Sequence, residues 1–301
     1  MDIGFSDAGF EVVWANDHNQ DACDTYRRQI GAEVVCADVA TMSPSGMPDT
    51  DIIIGGFPCQ GFSFAGNRKL DDSRNVLYRH LVRCVGDKKP IAFVAENVTG
   101  LLTIGGSDRT MRMIIKAFES KGYVVNWEIL NACRMGVPQE RKRVFIVGIR
   151  RDIGIEPTLP DHDDVKTTMK DVLWGLPEPD HDDVFWGSFS SQFMSRNRWR
   201  GWDEPSFTVI AKPDKAPLHP SSPPMIQVSK EQWKFGAGKT RRMSWREVAM
   251  IQTFPKGMEF SGSLSSKYHQ IGNAVPCKLA ERVAANLIRD LAGKGRKSLF
   301  S

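Results

Sequence analysis

The sequence predicts a doubly wound α/β fold with a mostly parallel sheet, followed by a second, smaller, loop-rich domain. Three observations lead there. Short apolar runs alternate with amphipathic stretches from residue 10 to 150, the rhythm dissolves beyond 151 into Pro-, Gly- and Asp-rich sequence, and helical sequence returns near the carboxyl end. Such alternation is what parallel strands require, because each crossover must carry the chain back to the starting edge of the sheet.

Strands are expected at 11–16, 33–37, 51–55, 91–95, 123–130 and 143–149, and helices at 21–29, 75–85 and 110–121. The third strand is the most informative. Ile52-Ile53-Ile54 runs into Gly55-Gly56-Phe57-Pro58-Cys59-Gln60-Gly61, so a buried strand ends in a Gly/Pro loop that presents one cysteine. The carboxyl end of such a strand is where open α/β sheets build their sites. Cys59 alone reads equally as a nucleophile or as a buried thiol in a tight turn. The fourth strand ends in Glu96-Asn97, a carboxylic acid with no reason to lie in the core. The sixth begins with Arg141 and Arg143, which are two apart and therefore share a face.

Residues 187–262 carry many prolines, short strand-like pieces and no βαβ rhythm. Helices are expected again at 244–251 and 278–291, the latter with Leu279, Val283, Leu287 and Leu291 spaced four apart, as a helix packed on a sheet requires. The chain thus leaves its first domain and returns to it, with boundaries at 1–186, 187–262 and 263–301.

The net charge of +4 is modest, but residues 152–186 carry a net −8 and residues 187–246 a net +7. Phosphate binding is disfavoured for the first segment and plausible for the second. Arg196, Arg198 and Arg200 beside Trp199 and Trp202 tilt the basic segment from a solvated face toward nucleic acid. Six cysteines without a Cys-x-x-Cys pair argue against a zinc site and against disulfides. The hexapeptide Pro-Asp-His-Asp-Asp-Val occurs at 160–165 and 179–184 and reads as a duplicated acidic surface loop rather than a cation site. No bound metal is expected. With no membrane-length apolar run and no signal-peptide pattern, a cytoplasmic monomer free of membranes is expected.

Taken in order, Gly55-Gly56-Phe57-Pro58-Cys59-Gln60-Gly61, Glu96-Asn97-Val98, Gln139-Glu140-Arg141-Lys142-Arg143 and Gln270-Ile271-Gly272-Asn273-Ala274-Val275-Pro276 resemble the motifs of the cytosine-5 DNA methyltransferases over residues 1–291. Phe193-Met194-Ser195-Arg196-Asn197-Arg198 and Glu204-Pro205-Ser206-Phe207-Thr208 further resemble bacterial, restriction-modification-type members, including GGCC-modifying ones. The resemblance implies an S-adenosylmethionine-dependent methyltransferase fold, with 187–262 as a target-recognition domain and double-stranded DNA as partner. It implies Cys59 as the thiol that attacks carbon 6 of a flipped cytosine, Glu96 as the acid at ring nitrogen 3, and Arg141 and Arg143 as holders of the base, the Cys loop and phosphate. For the methyl donor S-adenosylmethionine it implies Asp17, Asp38, Pro58, Asn273, Val275 and Phe300. For DNA it implies Ser63, Arg68 and Arg74 in the loop after the thiol, with Arg196, Arg198 and Arg200 in the basic domain.

The family usually begins with a strand and a Phe-x-Gly-x-Gly-Gly donor loop, whereas this sequence starts at Met1-Asp2-Ile3-Gly4-Phe5 and closes with Ser298-Leu299-Phe300-Ser301, which reads like that first strand. Two accounts stay open, a circular permutation with Phe300 as the donor aromatic, or truncation with a coincidental tail. Two rival functions also stay open: a catalytically silent or split-enzyme DNA-binding subunit that lacks donor binding, and an RNA cytosine methyltransferase on the same core.

Overall fold

The computed structural model describes residues 1–57, 78–103 and 109–293. Its elements are α1 (Asp2–Asp7), β1 (Trp14–Asp17), α2 (Gln20–Gln29), β2 (Glu33–Cys36), β3 (Ile52–Gly56), α3 (Tyr78–Lys88), β4 (Ala92–Val98), α4 (Arg109–Glu119), β5 (Tyr123–Asn131), β6 (Lys142–Arg150), α5 (Lys170–Leu173), β7 (Ile226–Ser229), β8 (Gln232–Lys234), α6 (Trp245–Ile251), α7 (Leu264–Asn273) and α8 (Cys277–Ala292). Pro58, Cys59, Ser63, Arg68, Arg74 and Phe300 lie outside the described residues, as does the expected helix start at 75–77.

Strands β3, β4, β6 and β5 lie side by side in that order. β3 and β4 are parallel, with Gly56 opposite Glu96, while β6 is antiparallel to both β4 and β5. The antiparallel pairing has a local cause. Residues 132–141 alone join β5 to β6, too few for a parallel crossover. β1 and β2 form a separate parallel pair among the described residues.

Helices cover both faces of the sheet, and β4 shows the consequence. Ala92 to Ala95 are fully buried, with Ala92 and Val94 turned to the core under α1 and α8, and Phe93 and Ala95 turned to the core under α3 and α4. A strand buried on both faces has no use for polar alternation, which is why this run reads as continuously apolar. Phe93 needs space on the neighbouring strand. Its partner is Gly148, where any Cβ would overlap the Phe93 ring. On α8, Leu279, Val283, Leu287 and Leu291 are all buried against the sheet.

A further core joins Met169 and Leu173 to Val209, Ala216, Met243, Trp245, Val248, Tyr268 and Ile271. The residues just before 187 and just after 262 therefore pack with the segment between them. A small satellite core, built on Phe193, Leu218 and Met225 with Phe189, Trp199, Trp233 and Phe235 against it, underlies the β7–β8 hairpin. Helix α6 starts on a capping box in which the Ser244 hydroxyl accepts from the Glu247 amide and Glu247 accepts from the Ser244 amide. The two Pro-Asp-His-Asp-Asp-Val copies have become different tethers. In the first, His162 Nε2 accepts from the Asn131 amide at 3.2 Å; in the second, Asp183 accepts from Trp245 Nε1 at 2.5 Å and from Arg246 Nε at 2.8 Å. Among the described residues no His, Cys, Asp and Glu cluster could hold a metal ion, and no helix is long and apolar enough to cross a membrane.

Candidate active site

Glu96 stands at the carboxyl end of β4 beside the end of β3, where its carboxylate hangs over Gly56. A Cβ on Gly56 would come within 3.4 Å of Glu96 Oε2, so glycine leaves the acid room to lie over the strand end. Three residues further on is Cys59. Arg143, opposite Val98 across the β4–β6 pair, places its Nε 3.0 Å from Glu96 Oε1. Both side chains are only slightly exposed, at 14% and 12%, so the pair faces a confined space rather than bulk water. Next to the acid, the buried Asn97 Nδ2 donates to the Phe57 carbonyl at 3.1 Å, and Asn97 Oδ1 accepts from the Val98 amide. Asn97 thereby ties the end of β4 to the backbone two residues before Cys59.

Arg141 and Arg143 share a strand but not a destination. Arg141 is 2% exposed, and its guanidinium donates to the carbonyls of Val209 at 3.0 Å, Gly272 at 3.1 Å and Ala274 at 3.0 Å. Burial, and then the neighbouring Arg143 charge, pull its pKa below the usual arginine value, with Glu96 opposing. The geometry differs from a residue that grips a base. Arg141 holds the turn of 272–274 and the strand-like segment at 209 against β6.

The sequence reading missed the amides around Arg141. Gln139 Nε2 donates to Gln252 Oε1 at 2.8 Å while Gln139 Oε1 accepts from the Val209 amide at 2.9 Å, and Gln252 Nε2 donates to the carbonyls of Ile271 and Ala274. Residues 206–208 run beside 138–140 through the Glu140 amide to the Ser206 carbonyl, the Ser206 amide to the Pro138 carbonyl and the Thr208 hydroxyl to the Glu140 carbonyl. Gln139 and Gln252 are fully buried, and a polar side chain in that state must find partners. Nothing in their local sequence announces those partners, which lie between 19 and 113 residues away along the chain.

The candidate donor residues within the described part of the chain sit on β1, after β2 and at the end of α7. Asp17 ends β1 and accepts from the Asn19 amide at 2.8 Å; Asp38 follows β2 and accepts from the Ala40 amide at 2.9 Å. Both acids are exposed, so their carboxylates face solvent at the carboxyl edge of β1 and β2. Asn273 ends α7 with Nδ2 3.2 Å from the His269 ring, while Val275 is buried in the core that Ile52 and Ile54 pack against. A cleft of about 710 Å³, lined among others by Asn19, Asp21, Lys212, Asp214, Ser263 and His269, opens between α2, α7 and the segment at 211–214.

The arginines of the basic segment do not all face outward. Arg198 donates to the carbonyls of Phe193 and Gln192 and lies 5.3 Å from the Phe193 ring centroid. Burial and Arg196 pull its pKa down. Arg200 donates to Glu204 Oε1 at 2.8 Å and stacks 4.4 Å over Phe207. Arg196 alone of the three is exposed, without a hydrogen bond or ion pair among the described residues. This departs from the expectation of three available forks. Positions two apart on an extended segment share a face, so it is the Phe193 and Gln192 carbonyls and the Phe193 ring that draw Arg198 inward.

Known proteins share both the sequence and the fold of this chain. The model of the family described as C-5 cytosine-specific DNA methylase matches residues 1–289. The chain is 40% identical over 297 residues to the Type II methyltransferase M.BspRI of Lysinibacillus sphaericus, which covers 92% of this chain and 70% of the relative. It is 38% identical over 317 residues to the Type II methyltransferase M.NgoPII of Neisseria gonorrhoeae, with 97% and 93% covered. Among solved structures, a putative DNA modification methyltransferase encoded within an Escherichia coli prophage superposes with a TM-score of 0.73 at 22% identity, over 96% of this chain and 95% of the other. The Entamoeba histolytica methyltransferase EhMeth gives 0.71 at 16%, over 96% and 94%.

Proposed function

The chain belongs to the C-5 cytosine-specific DNA methylase family, and from that premise we propose how its residues divide the reaction. It is a DNA (cytosine-5) methyltransferase of the restriction-modification type, and S-adenosylmethionine is its methyl donor. The observation that carries the assignment of roles is Glu96, held by Arg143 over Gly56 at the strand end that leads into Cys59.

Carbon 5 of cytosine is a weak nucleophile until the ring is activated. The Cys59 thiolate forms an Sγ–C6 bond as Glu96 donates a proton or hydrogen bond at ring nitrogen 3, and electron density moves to carbon 5. When bound, S-adenosylmethionine would supply an electrophilic methyl group, the new bond to carbon 5 forming as the donor's S–CH3 bond breaks and S-adenosylhomocysteine leaves. Carbon 5 then loses its proton to a base and the Sγ–C6 bond breaks, which returns the thiolate. Arg143 fixes the carboxyl group of Glu96 and adds positive charge beside the ring, whereas Arg141 acts as a positioning residue. A duplex buries both ring faces, so the target base must leave the stack to meet Cys59. Asp17 and Asp38 suit the donor because exposed carboxylates at the carboxyl edge of parallel strands accept from ribose hydroxyls and an amino group. Asn273 and Val275 are assigned to the donor as well, as are Pro58 and, under a permuted chain order, Phe300, both of which lie outside the described residues.

Residues 187–262 form the target-recognition part, with Arg196 as the fork that reads guanine and Ser63, Arg68 and Arg74 as duplex contacts from the loop after Cys59. The test is methyl incorporation from labelled donor into duplex DNA and into transfer RNA, followed by bisulfite sequencing of the DNA product. Incorporation into duplex DNA at one short site supports the proposal. Incorporation into transfer RNA alone, or none with intact donor binding, refutes it.

A further inference from the structure

We propose that Cys23 and Cys36 form a thiol modification site beside the donor acids, at which a low-molecular-weight disulfide closes the pair into an internal bridge that weakens S-adenosylmethionine binding. The inference rests on the reading of Asp17 and Asp38 as donor residues and adds a control over them. Both thiols are free in the structure, and neither has a part in the methyl-transfer mechanism. They come from different elements. Cys23 lies in the first turn of α2, and Cys36 ends β2 directly opposite Asp17.

One carbonyl brings them together. The Asp17 carbonyl accepts from the Cys23 thiol at 3.4 Å and from the Ala37 amide at 3.0 Å. The Cys23 sulfur is therefore held against the peptide that follows Cys36, and the Cys36 thiol interacts with it directly. Neighbouring strands stand about 4.8 Å apart and a disulfide spans Cα separations of about 4.4–6.8 Å, so a helix residue resting on this register needs little movement to bridge. Asn16 Nδ2 donates to the carbonyls of Val35 at 2.9 Å and Ala37 at 2.8 Å, which holds the backbone on either side of Cys36 in that register.

The two sulfurs are not equivalent. Cys23 is fully buried, whereas Cys36 is half-buried. Burial, then the neighbouring Cys36 and Asp17, push the Cys23 thiol up to about 12, with Arg27 opposing. Cys36 is accordingly the sulfur that meets an incoming disulfide. Its thiolate attacks one sulfur of the small disulfide, forming a mixed disulfide and releasing a small thiolate that takes up the proton Cys36 gave up. Cys23 then loses its proton and attacks the Cys36 sulfur, and the internal bond forms as the second small thiol leaves with that proton. The protein pair is oxidised by two electrons and the small disulfide is reduced to two thiols. The bridge bears on the donor because Asp17 faces Cys36 across the strand pair and Asp38 follows it by two residues. Closure draws Cys36 toward α2 and leaves Cys23 with no proton for the Asp17 carbonyl. The shift passes to Ala37 and Asp38 and alters the spacing of two carboxylates that must reach one ligand together. Linkage runs both ways, so bound donor slows closure.

The test uses the intact chain carrying Cys59→Ala, so that the nucleophile cannot react, and reads S-adenosylmethionine binding by calorimetry rather than turnover. After treatment with oxidised glutathione, non-reducing peptide mapping should find Cys23 and Cys36 in one linked fragment. Donor affinity should fall about tenfold or more and return with dithiothreitol. Cys36→Ser should bind donor like its parent before and after treatment, and Cys23→Ser should stop at the mixed disulfide on Cys36. S-adenosylhomocysteine should slow formation of the bridge. Absence of the Cys23–Cys36 link after treatment overturns the proposal, as does a complete link with unchanged donor affinity. Asp17→Asn and Asp38→Asn in the reduced protein separate the two levels of the argument. If they lose donor affinity while the bridged protein keeps it, the thiol control alone fails; if they bind donor normally, the reading of the donor side fails and the proposal falls with it.

Discussion

Replacing Arg141 by methionine should destabilise the protein by about 2–4 kcal/mol without removing any group that touches the substrate. The arginine supplies three charged donors, to the carbonyls of Val209, Gly272 and Ala274. Ala274 keeps a second donor in Gln252 Nε2 at 3.1 Å, so two carbonyls bear the loss. A buried polar group left without its partner costs about 1–3 kcal/mol, which gives about 2–6 kcal/mol for the pair. Relief from burying a guanidinium offsets part of this, and methionine retains most of the apolar stem. Lysine should recover only part of the loss, because one ammonium cannot span three carbonyls. Urea denaturation followed by tryptophan fluorescence gives the stability change. Steady-state kinetics should show raised KM for donor and DNA with a smaller change in kcat, since 209 and 272–274 would lose their anchor. A methionine variant as stable as the parent, or one with unchanged KM and a collapsed kcat, would refute the positioning role.

Asn97→Leu removes the donor to the Phe57 carbonyl and should lower kcat roughly 10- to 100-fold through misplacement of the Cys59 loop; stopped-flow duplex binding should stay near normal, and unaltered turnover would contradict the tether. Glu96→Gln should slow methyl transfer on the order of 10²–10⁴-fold while a gel-shift assay shows retained duplex binding, and wild-type turnover across the pH range would remove the acid from the mechanism. Burial depresses the pKa of His219 from 6.5 to about 4, with Glu247 opposing, so the folded state excludes a proton that the unfolded chain takes up below about 6.5. Stability should fall as pH drops from about 6.5 to 4, by up to about 3 kcal/mol. Thermal midpoints of His219→Gln should lose that slope, and an identical slope would refute the assignment. Arg196→Ala should relax sequence preference at one or two positions, worth roughly 1–3 kcal/mol per guanine. Arg198→Ala should instead loosen the fold around Phe193, with bisulfite sequencing and thermal melts separating the two.

The parts of the fold written in local pattern were legible. Six apolar runs became β1 to β6 with shifts of a few residues at their ends, and the spacing of Leu279, Val283, Leu287 and Leu291 became the buried face of α8. The antiparallel β6 required attention to the short link at 132–141, which the alternation of elements obscures. α1 and α7 are short or polar, so their periodicity is weak, and both are held by tertiary contacts such as Phe5 in the main core and Tyr268 in the second. At the site, Glu96 and Arg143 were visible because a charge at the end of an apolar strand stands out. Asn97, Gln139 and Gln252 were not, since buried amides act through partners that sequence neighbours do not reveal. The inward turn of Arg198 depended on the Phe193 ring and carbonyls beneath it, a three-dimensional neighbourhood that charge counting cannot see.

The central claim, that Cys59 attacks a flipped cytosine beside Glu96, is tested most directly by covalent trapping. Duplexes with 5-fluorocytosine at the target position block loss of the group at carbon 5, so the Sγ–C6 bond should persist after methyl transfer. With S-adenosylmethionine present, the intact chain should form a denaturant-resistant protein–DNA adduct whose peptide map places the nucleotide on Cys59, and Cys59→Ala should form none while still binding the duplex. An adduct at another residue, or full adduct formation by Cys59→Ala, would contradict the account.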